Sequence, residues 1–206
     1  MLWLFLACKG EFSLDASDLD IGFTEPSVEC IDRVSQLMVT QDIQKDPRLE
    51  AESFIFIEKE SRKMGLYRKG KLVDGGCWRI ALGFESFGHK QREGDGKTPE
   101  GWYITSDKPN STYEGAIAIH YPNPDDIEQG VLDNRISRAQ GDELLSQIQR
   151  GEKPEQSSPL GGEILIHGGG TSTDWTLGCI AMSNRDLKDL RSQLNPEKTA
   201  DILILP

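Results

Sequence analysis

The chain has 206 residues, of which 36% are hydrophobic and 28% charged, a composition that excludes disorder along its whole length. Its formal net charge of −11 argues against nucleic acid as a partner, because phosphate binding needs clustered Lys and Arg. A chain of this length can bury one sound core, so we expect a single domain with an N-terminal extension.

The first seven residues form a short apolar run that ends just before Cys8. The run is far shorter than the roughly 20 residues that span a bilayer, and no basic residues precede it. We interpret residues 1–8 either as a truncated export signal, with Cys8 as a candidate lipid-attachment site, or as a packed N-terminal segment. Residues 9–51 are expected to form a linker and a short helix.

In chain order, apolar residues at helical spacing predict an amphipathic helix over residues 28–39, and Asp46-Pro47 ends it. Helices are also predicted over residues 137–149 and, with Ser183 as the N-cap, over residues 185–194. The fold class expected from these patterns is mainly β with small helices. Short apolar runs between turns predict strands at residues 54–57, 65–67, 72–73, 78–82, 102–104, 116–120, 164–167 and 202–205.

The four cysteines, Cys8, Cys30, Cys77 and Cys179, are scattered and include no Cys-x-x-Cys pair, so the sequence predicts no zinc site. Cys30 and Cys77 are able to pair in an oxidising compartment, although nothing in the sequence requires it. Cys77 lies between a Gly-Gly pair and a Trp, and we interpret it as a strand residue that faces the core.

Residues 164–184 combine a His at the end of a predicted buried strand with a Cys that follows a Gly. His167 comes after three aliphatic residues, and Cys179 comes twelve residues later, between Gly178 and Ile180. A Cys is nucleophilic as the thiolate, and a neighbouring imidazole is the usual way to form one near neutral pH. The pattern predicts a Cys nucleophile with a His base. An inert buried Cys beside a structural His is the alternative interpretation.

This stretch resembles the signature of the L,D-transpeptidase catalytic domain (YkuD-type): a His-Gly pair, a variable loop, then Ser/Thr-x-Gly-Cys, a hydrophobic residue and an Asn. Here His167-Gly168, residues 176–180 and Asn184 make the pattern. A second block, residues 88–101 followed by Trp-Tyr-Ile, also matches, and its Gly-Asp-Gly-Lys-Thr-Pro-Glu-Gly portion at residues 94–101 is typical. The resemblance covers roughly residues 52–206. It implies a β-sandwich-like or barrel-like catalytic domain with short inserted helices.

The resemblance also implies the chemistry of the site. Cys179 attacks a peptide carbonyl and forms a thioester, with His167 as general base and acid, and the backbone carbonyl of Gly168 orients His167 in place of an acidic residue. We expect the N–H groups of Gly178 and Cys179 to form the oxyanion hole, because Gly lets the backbone face a developing charge. Neither a cofactor nor a metal is needed, since the thioester conserves the energy of the cleaved bond.

By the same resemblance the donor is a tetrapeptide stem of peptidoglycan, cleaved after its third residue, a diamino acid, with release of the terminal D-Ala. The acceptor is an amine on another stem or on an envelope protein. The implied location is the periplasm or cell envelope, with membrane anchoring only if Cys8 is lipidated.

Two departures from the family pattern leave the fate of the thioester open. Leu177 stands where many relatives carry a second His, and Ala181 where many carry an Arg, and some members of a subgroup with such changes are hydrolases. Hydrolysis of similar links and non-catalytic binding to peptidoglycan therefore remain alternatives to transpeptidation. A papain-like protease is disfavoured, because there the Cys precedes the His in the chain.

Five further residues are candidates for substrate contact. Arg92 carries a fork of donors that matches a stem-peptide carboxylate, and His89 lies three residues before it. His120 lies where a strand meets a loop, Trp175 is a candidate wall for the acyl donor, and Thr176 lies close to the nucleophile. Each residue also has a structural interpretation, as a solvated loop, packing or turn residue.

Overall fold

The structure is a computed structural model that describes residues 28–112, 115–194, 197 and 199–206. The expectations for residues 1–8 and for the linker up to residue 27 lie outside the described residues. The described chain forms eight strands: β1 Phe54–Glu58, β2 Lys63–Arg68, β3 Lys71–Arg79, β4 Gly101–Lys108, β5 Ala116–Ile119, β6 Leu165–His167, β7 Ile180–Ala181 and β8 Asp201–Leu205.

These strands form a mixed sheet in the order β3-β2-β1-β8-β4-β5-β6-β7. The pairs β1–β8 and β6–β7 are parallel, and the other neighbours are antiparallel. The sheet curls so strongly that the residues just after β3 reach β7 at the other edge. Ala81 exchanges backbone hydrogen bonds of 2.9 and 2.8 Å with Ala181 in β7. This curled half-barrel with few short helices confirms the predicted fold class.

Four α-helices lie in the described residues: α1 Gln41–Gln44, α2 Pro124–Leu132, α3 Arg138–Gln149 and α4 Asn184–Gln193. Both α3 and α4 were predicted from sequence, and their N-caps are Ser137 and Ser183, each accepting a backbone N–H three residues on. The longest of these helices has 12 residues. None of the helices in this part of the chain has the length and apolar character of a membrane span.

The helix predicted over residues 28–39 is wrong. Arg33 instead forms a bridge with Lys71, and Leu72 donates its N–H to the Asp32 carbonyl at 2.8 Å, so the segment runs along β3. The chain makes one 3-10 turn, Val34–Gln36, and a second turn follows at Pro47–Glu50. The apolar side chains that suggested a helix are spaced to pack on the outer face of the sheet, where Val34 is buried.

The sequence analysis missed α2 and split β3 into two strands. Asn123 caps α2 through a reciprocal pair, because Asn123 accepts the Asp126 N–H and Asp126 accepts the Asn123 N–H, both at 2.8 Å. Pro124 occupies the first helical turn, which is the position that proline favours. The Asn-Pro pair followed by Asp therefore indicates the start of a helix. The helix was missed because few apolar residues follow at helical spacing.

Cys30 and Cys77 form a disulfide, which ties the segment before residue 34 to β3. Cys77 is half-buried in this bridge, so the expectation that it faces the core is wrong. Its sulfur bonds to Cys30, which lies in the segment that runs along β3.

The main hydrophobic core lies on the inner face of the curled sheet, where Ile164, Ile166 and Ile180 are buried with residues of α2, α3 and α4. The alternate residues of the same strands face outward, since side chains alternate along a strand. On this outer face a small cluster is formed by Ala116, Ala118, Leu165 and Cys179. The outer face at β5, β6 and β7 therefore contains the predicted nucleophile.

Candidate active site

The parallel pairing of β6 and β7 brings Cys179 and His167 to one face of the sheet. His167 lies opposite Ala181, and Cys179, two residues before Ala181, lies beside Leu165. Because residues two apart share a face, Cys179 and His167 are diagonal neighbours on the outer face. Ordinary sheet spacings of about 4.8 Å between strands and about 3.3 Å per residue give a Cα separation of roughly 8 Å.

The sulfur of Cys179 is held by two backbone groups of the segment that enters β6. It accepts the Leu165 N–H at 3.3 Å and lies 3.4 Å from the Glu163 carbonyl oxygen. The side chain is fully buried, with 0% exposure. The sulfur is thereby held beside the segment that enters β6.

A buried turn fixes the backbone just before Cys179. The Thr176 hydroxyl donates to the Cys179 carbonyl at 2.6 Å and accepts the Gly178 N–H at 3.1 Å. Thr176 is fully buried with both interactions made, so in this conformation it contacts the backbone around Cys179, and its expected substrate contact stays a prediction. The Gly178 N–H, which was expected in the oxyanion hole, is engaged by Thr176 in this conformation.

His167 is oriented by the backbone of the next residue. Its Nδ1 lies 2.5 Å from the Gly168 carbonyl oxygen, which can only accept, so the hydrogen-bond network assigns the proton to Nδ1. Nε2 then carries the lone pair that can take a proton. Burial lowers the pKa of His167 to about 4, although the Gly168 carbonyl acts in the opposite direction. The ring is therefore neutral near pH 7.

The loop after His167 wraps around its ring. Asn184 accepts the Gly169 N–H at 3.1 Å. The Trp175 ring meets the His167 ring edge-on with centroids 5.5 Å apart, and the Trp175 indole N–H donates to Gly170 at 3.2 Å. Trp175 is half-buried and forms one wall beside His167.

The second sequence block forms a scaffold behind the turn before Cys179. A Cβ on Gly178, whose φ is +127°, would lie 2.6 Å from the Lys97 carbonyl, so this close approach requires glycine. Lys59 is buried behind the block and donates to Gly88, Thr98 and Glu100 at 2.7, 3.1 and 2.8 Å. These contacts hold residues 88–100 rigidly against the site.

Two of the predicted substrate contacts, His89 and Arg92, lie in the second sequence block. His89 accepts the Glu100 N–H through Nδ1, and its Nε2 lies 2.9 Å from Asp126, so both ring nitrogens brace the second block against α2. Arg92 is exposed on the same block, and its backbone bonds to Asp95 and Lys90. The contacts of His89 are therefore structural in this conformation, and its expected substrate contact stays a prediction.

His120 does lie on the outer face near Cys179. The antiparallel register of β5 and β6 pairs Ala118 with Leu165, and its continuation puts His120 opposite Glu163. The His120 Nε2 lies 2.8 Å from the Ser106 hydroxyl. Burial, and next the charge of Lys153, lower the pKa of His120, so this ring is also neutral near pH 7.

The sequence analysis missed three charged residues next to the site. The Glu163 carboxylate pairs with Lys108 of β4 and with Lys153, which follows α3. Lys108 lies 55 residues before Glu163, whereas Lys153 lies about ten residues before it, and none of the three belongs to a motif. Only the fold brings them together.

Comparison with known proteins identifies the domain. The sequence model of the L,D-transpeptidase catalytic domain (YkuD) matches residues 52–202, which is most of the chain. YafK of Escherichia coli K12, named provisionally as an L,D-transpeptidase, is 32% identical over 144 residues, which cover 66% of this chain and 45% of YafK. The chain thus spans less than half the length of that curated relative.

Solved structures give weaker similarities. The helical cell shape determining protein Pgp2 of Campylobacter jejuni matches with 24% identity and a TM-score of 0.49, over 74% of this chain and 46% of Pgp2. Bd1075 of Bdellovibrio bacteriovorus matches with 23% identity and a TM-score of 0.44, over 75% of this chain and 48% of Bd1075.

Proposed function

Because the chain belongs to the L,D-transpeptidase catalytic domain family, we propose that it is a peptidoglycan L,D-transpeptidase with Cys179 as nucleophile and His167 as general base and acid. The observation that carries this proposal is the pairing of β6 with β7, which makes Cys179 and His167 diagonal neighbours on one face. The bond between His167 Nδ1 and the Gly168 carbonyl supports it, because it leaves Nε2 as the basic nitrogen.

In the first half-reaction, His167 Nε2 takes the thiol proton and the sulfur attacks the carbonyl that joins the third residue of the stem to D-Ala. The tetrahedral intermediate collapses, and His167 gives the proton to the departing D-Ala amine. A thioester remains on Cys179. A positioned base and acid of this kind contributes roughly 10²–10⁴-fold in rate.

In the second half-reaction, an amine attacks the thioester carbonyl and forms a new amide. His167 takes a proton from this amine and returns it to the sulfur, so the thiol is regenerated. The Cys179 N–H is the remaining backbone candidate for stabilising the oxyanion, since the Gly178 N–H is engaged by Thr176.

Acylation requires Cys179 as a reduced thiol that a substrate can reach. In this conformation both Cys179 and His167 have 0% exposure. Cys179 is disulfide-bonded in this conformation, so assays belong under reducing conditions.

Hydrolysis is the second candidate function, and the surroundings of Ala181 favour it. Ala181 is fully buried in β7 and exchanges backbone hydrogen bonds with Ala81, so this position supplies no charge to an acceptor. Leu177 likewise supplies no second imidazole. With water as the acceptor, the same thioester would give a shortened stem peptide.

Peptidoglycan stem peptides are the proposed substrates, and an amine of another stem or of an envelope protein is the proposed acceptor. We place the protein in the periplasm or cell envelope. The disulfide between Cys30 and Cys77 supports this location, because disulfides persist in oxidising compartments.

The test uses the full chain, reduced, with tetrapeptide muropeptides and mass spectrometry of both products and protein. We expect a covalent adduct on Cys179 and a product that is cross-linked or has exchanged D-Ala for another D-amino acid. Cys179→Ala is the control and should give neither. Turnover retained in Cys179→Ala would refute the mechanism.

The same experiment separates the alternatives. Loss of D-Ala with addition of water only would assign the hydrolase. If tetrapeptides stay uncleaved, a muropeptide linked to a protein is tried next. Binding without cleavage of either substrate would favour the non-catalytic alternative.

A further inference from the structure

Asp174 joins three segments that lie far apart in the chain. It belongs to the loop after His167, and it accepts the N–H of Leu82, just after β3, at 2.9 Å. The Arg62 guanidinium donates to Asp174 Oδ2 through Nε at 3.1 Å and through Nη2 at 2.6 Å. Arg62 lies in the turn between β1 and β2, 112 residues before Asp174. The loop after His167 is therefore tied to the far side of the sheet at this one carboxylate.

The conformation of Arg62 indicates that its side chain is needed where it lies. Its φ is +53°, in the left-handed region, which glycine and asparagine adopt more easily than other residues. Besides Asp174, the guanidinium reaches the Lys59 carbonyl at 2.6 Å and the Ser86 hydroxyl at 2.8 Å. A planar guanidinium is the side-chain group that offers this many donors at fixed angles. Arg62 is thus itself fixed, and it holds Asp174 in one position.

The Arg62–Asp174 pair is charged and partly shielded from water. The side chains of Arg62 and Asp174 are 32 and 20% exposed, respectively. Burial alone would raise the pKa of Asp174, but the Arg62 guanidinium and the Leu82 N–H hold it below its ordinary value. Asp174 is therefore ionised near pH 7, and salt screens a partly buried pair less than one on the open surface.

Leu82 extends the effect of Asp174 to the next two residues of the loop. Its N–H donates to Asp174, and its carbonyl accepts the backbone N–H groups of Trp175 and Thr176, both at 3.2 Å. Three successive residues are thereby bonded to one residue after β3. The position of Asp174 thus sets the positions of Trp175 and Thr176.

Trp175 and Thr176 contact the two members of the proposed catalytic pair. The Trp175 ring meets the His167 ring edge-on, with centroids 5.5 Å apart. The Thr176 hydroxyl donates to the Cys179 carbonyl at 2.6 Å. The anchor at Asp174 therefore serves both the base and the nucleophile.

We propose that Arg62 and Asp174 are positioning residues for the reaction at Cys179. They hold the base through Trp175 and the nucleophile through Thr176. This inference rests on the proposed function and deepens it, because it makes a pair outside the His and Cys motif necessary for efficient thioester formation. Neither residue contacts the reacting atoms. Displacement of catalytic groups by about 1 Å costs on the order of 10²-fold in rate, so we expect a broken pair to cost roughly tenfold or more.

Alkylation of Cys179 tests the pair without a peptide substrate. The reduced full chain is treated with iodoacetamide over a range of pH, and the label on Cys179 is measured by peptide mapping and mass spectrometry. In Asp174→Asn, which keeps the size but loses the charge, labelling near neutral pH should slow roughly tenfold and its pH midpoint should rise. The reason is that a displaced imidazole takes the thiol proton less readily. Arg62→Met should act alike, and Arg62→Lys, which keeps the charge, should recover part of the loss.

The pH midpoint is the deciding value, because a change in access to the sulfur alone would alter the rate equally at every pH. An unchanged midpoint in both Asp174→Asn and Arg62→Met would overturn the proposal. In the double variant we expect little further change, since the pair is already broken. Losses that add there would show that the two residues act separately, against the proposal. Circular dichroism checks that each variant folds, and Arg62→Met alone decides if Asp174→Asn does not.

Histidine ring signals in NMR spectra give a second readout. The chain contains three histidines, so their ring signals are followed one by one. In Asp174→Asn the signals of His167 should shift, because the Trp175 ring moves relative to them. Those of His89 and His120 should stay where they are. Unshifted His167 signals would show that the pair does not act through Trp175, and the proposal would be wrong.

Asp46 and Arg48 form a matched control pair. They too bond through Arg Nε and Nη2, with the same 2.6 Å contact, and their side chains are 17 and 42% exposed, respectively. They lie before β1, outside the loop after His167. Asp46→Asn should leave the pH midpoint of Cys179 and the His167 signals unchanged. Equal effects of Asp46→Asn and Asp174→Asn would indicate a general loss of stability and would overturn the positioning role.

The two proposals fail in different ways. A raised midpoint in Asp174→Asn, in a chain that never forms a thioester with a muropeptide, would support the positioning role and refute the proposed chemistry. Thioester formation at one rate in Asp174→Asn, Arg62→Met and the unsubstituted chain would refute the positioning role alone.

Discussion

Asn184 accepts the Gly169 N–H at 3.1 Å, so the first residue of α4 holds the loop that follows His167. A Cβ on Gly168 would lie only 2.1 Å from the same Asn184 oxygen. Residue 168 therefore has no room for a side chain while Asn184 is in place. This contact explains the Gly of the His-Gly pair. The backbone conformation at Gly168 does not itself require glycine, because its φ is not positive.

Gly168→Ala should lower the free energy of unfolding by about 1–3 kcal/mol, because the new methyl group overpacks the contact with Asn184. Adding Asn184→Ala should recover part of this loss by removing the clashing oxygen. Urea denaturation of the two single variants and the double variant measures the coupling. Losses that simply add in the double variant would contradict the explanation.

Thr176→Val should reduce turnover and lower the free energy of unfolding by about 1–3 kcal/mol, because it leaves the Cys179 carbonyl and the Gly178 N–H without their buried partner. Thr176→Ser keeps the hydroxyl and should retain most of the activity. Acylation rates and denaturation midpoints are measured for both variants. A Val variant as active as the Ser variant would show that this hydroxyl does not position Cys179.

His167 should make stability depend on pH between about 6.5 and 4. The unfolded imidazole takes a proton below its ordinary pKa of 6.5, whereas burial keeps the folded ring neutral until about pH 4. The unfolded state thus binds more protons in this window, and the free energy of unfolding falls as pH falls, by up to about 3 kcal/mol. Denaturation at several pH values, compared with His167→Gln, measures the effect. An identical pH profile in the variant would contradict the lowered pKa.

His167→Gln should slow formation of the Cys179 adduct by roughly 10²–10⁴-fold, since the side chain fills similar space but cannot shuttle a proton. Single-turnover mass spectrometry of the reduced protein follows the adduct. His89→Gln is a matched control, because His89 braces α2 away from the outer face. Equal losses in the two variants would argue for a structural effect in both.

The elements with strong local signals were predictable from sequence. The N-cap residues Ser137 and Ser183 indicate the starts of α3 and α4, and short apolar runs indicate the strands of the sheet. The apolar residues of residues 28–39 misled the prediction, since an extended segment with one 3-10 turn buries them as well as a helix does. The pairing of this segment with the edge of β3 decides between the two conformations. The local sequence pattern contains no information about that pairing.

The candidate site was predictable only in part. The spacing of His167 and Cys179, with a Gly after the His and a Gly before the Cys, marked the stretch. The contact of His89 with Asp126 was not predictable, because Asp126 lies on α2, which the sequence analysis missed. Glu163 carries no sequence signal: its contact with Lys108 joins two distant segments, no motif marks its contact with Lys153, and its left-handed backbone is visible only in the structure.

The place of β8 in the sheet sets the order in which this domain can be completed. The strand comes late in the chain, yet it lies between β1 and β4 and pairs with both. A ribosome delivers β1 and β4 before β8, so these two strands lack their common neighbour until residues 201–205 emerge. The middle of the sheet is therefore the last part of it that can form.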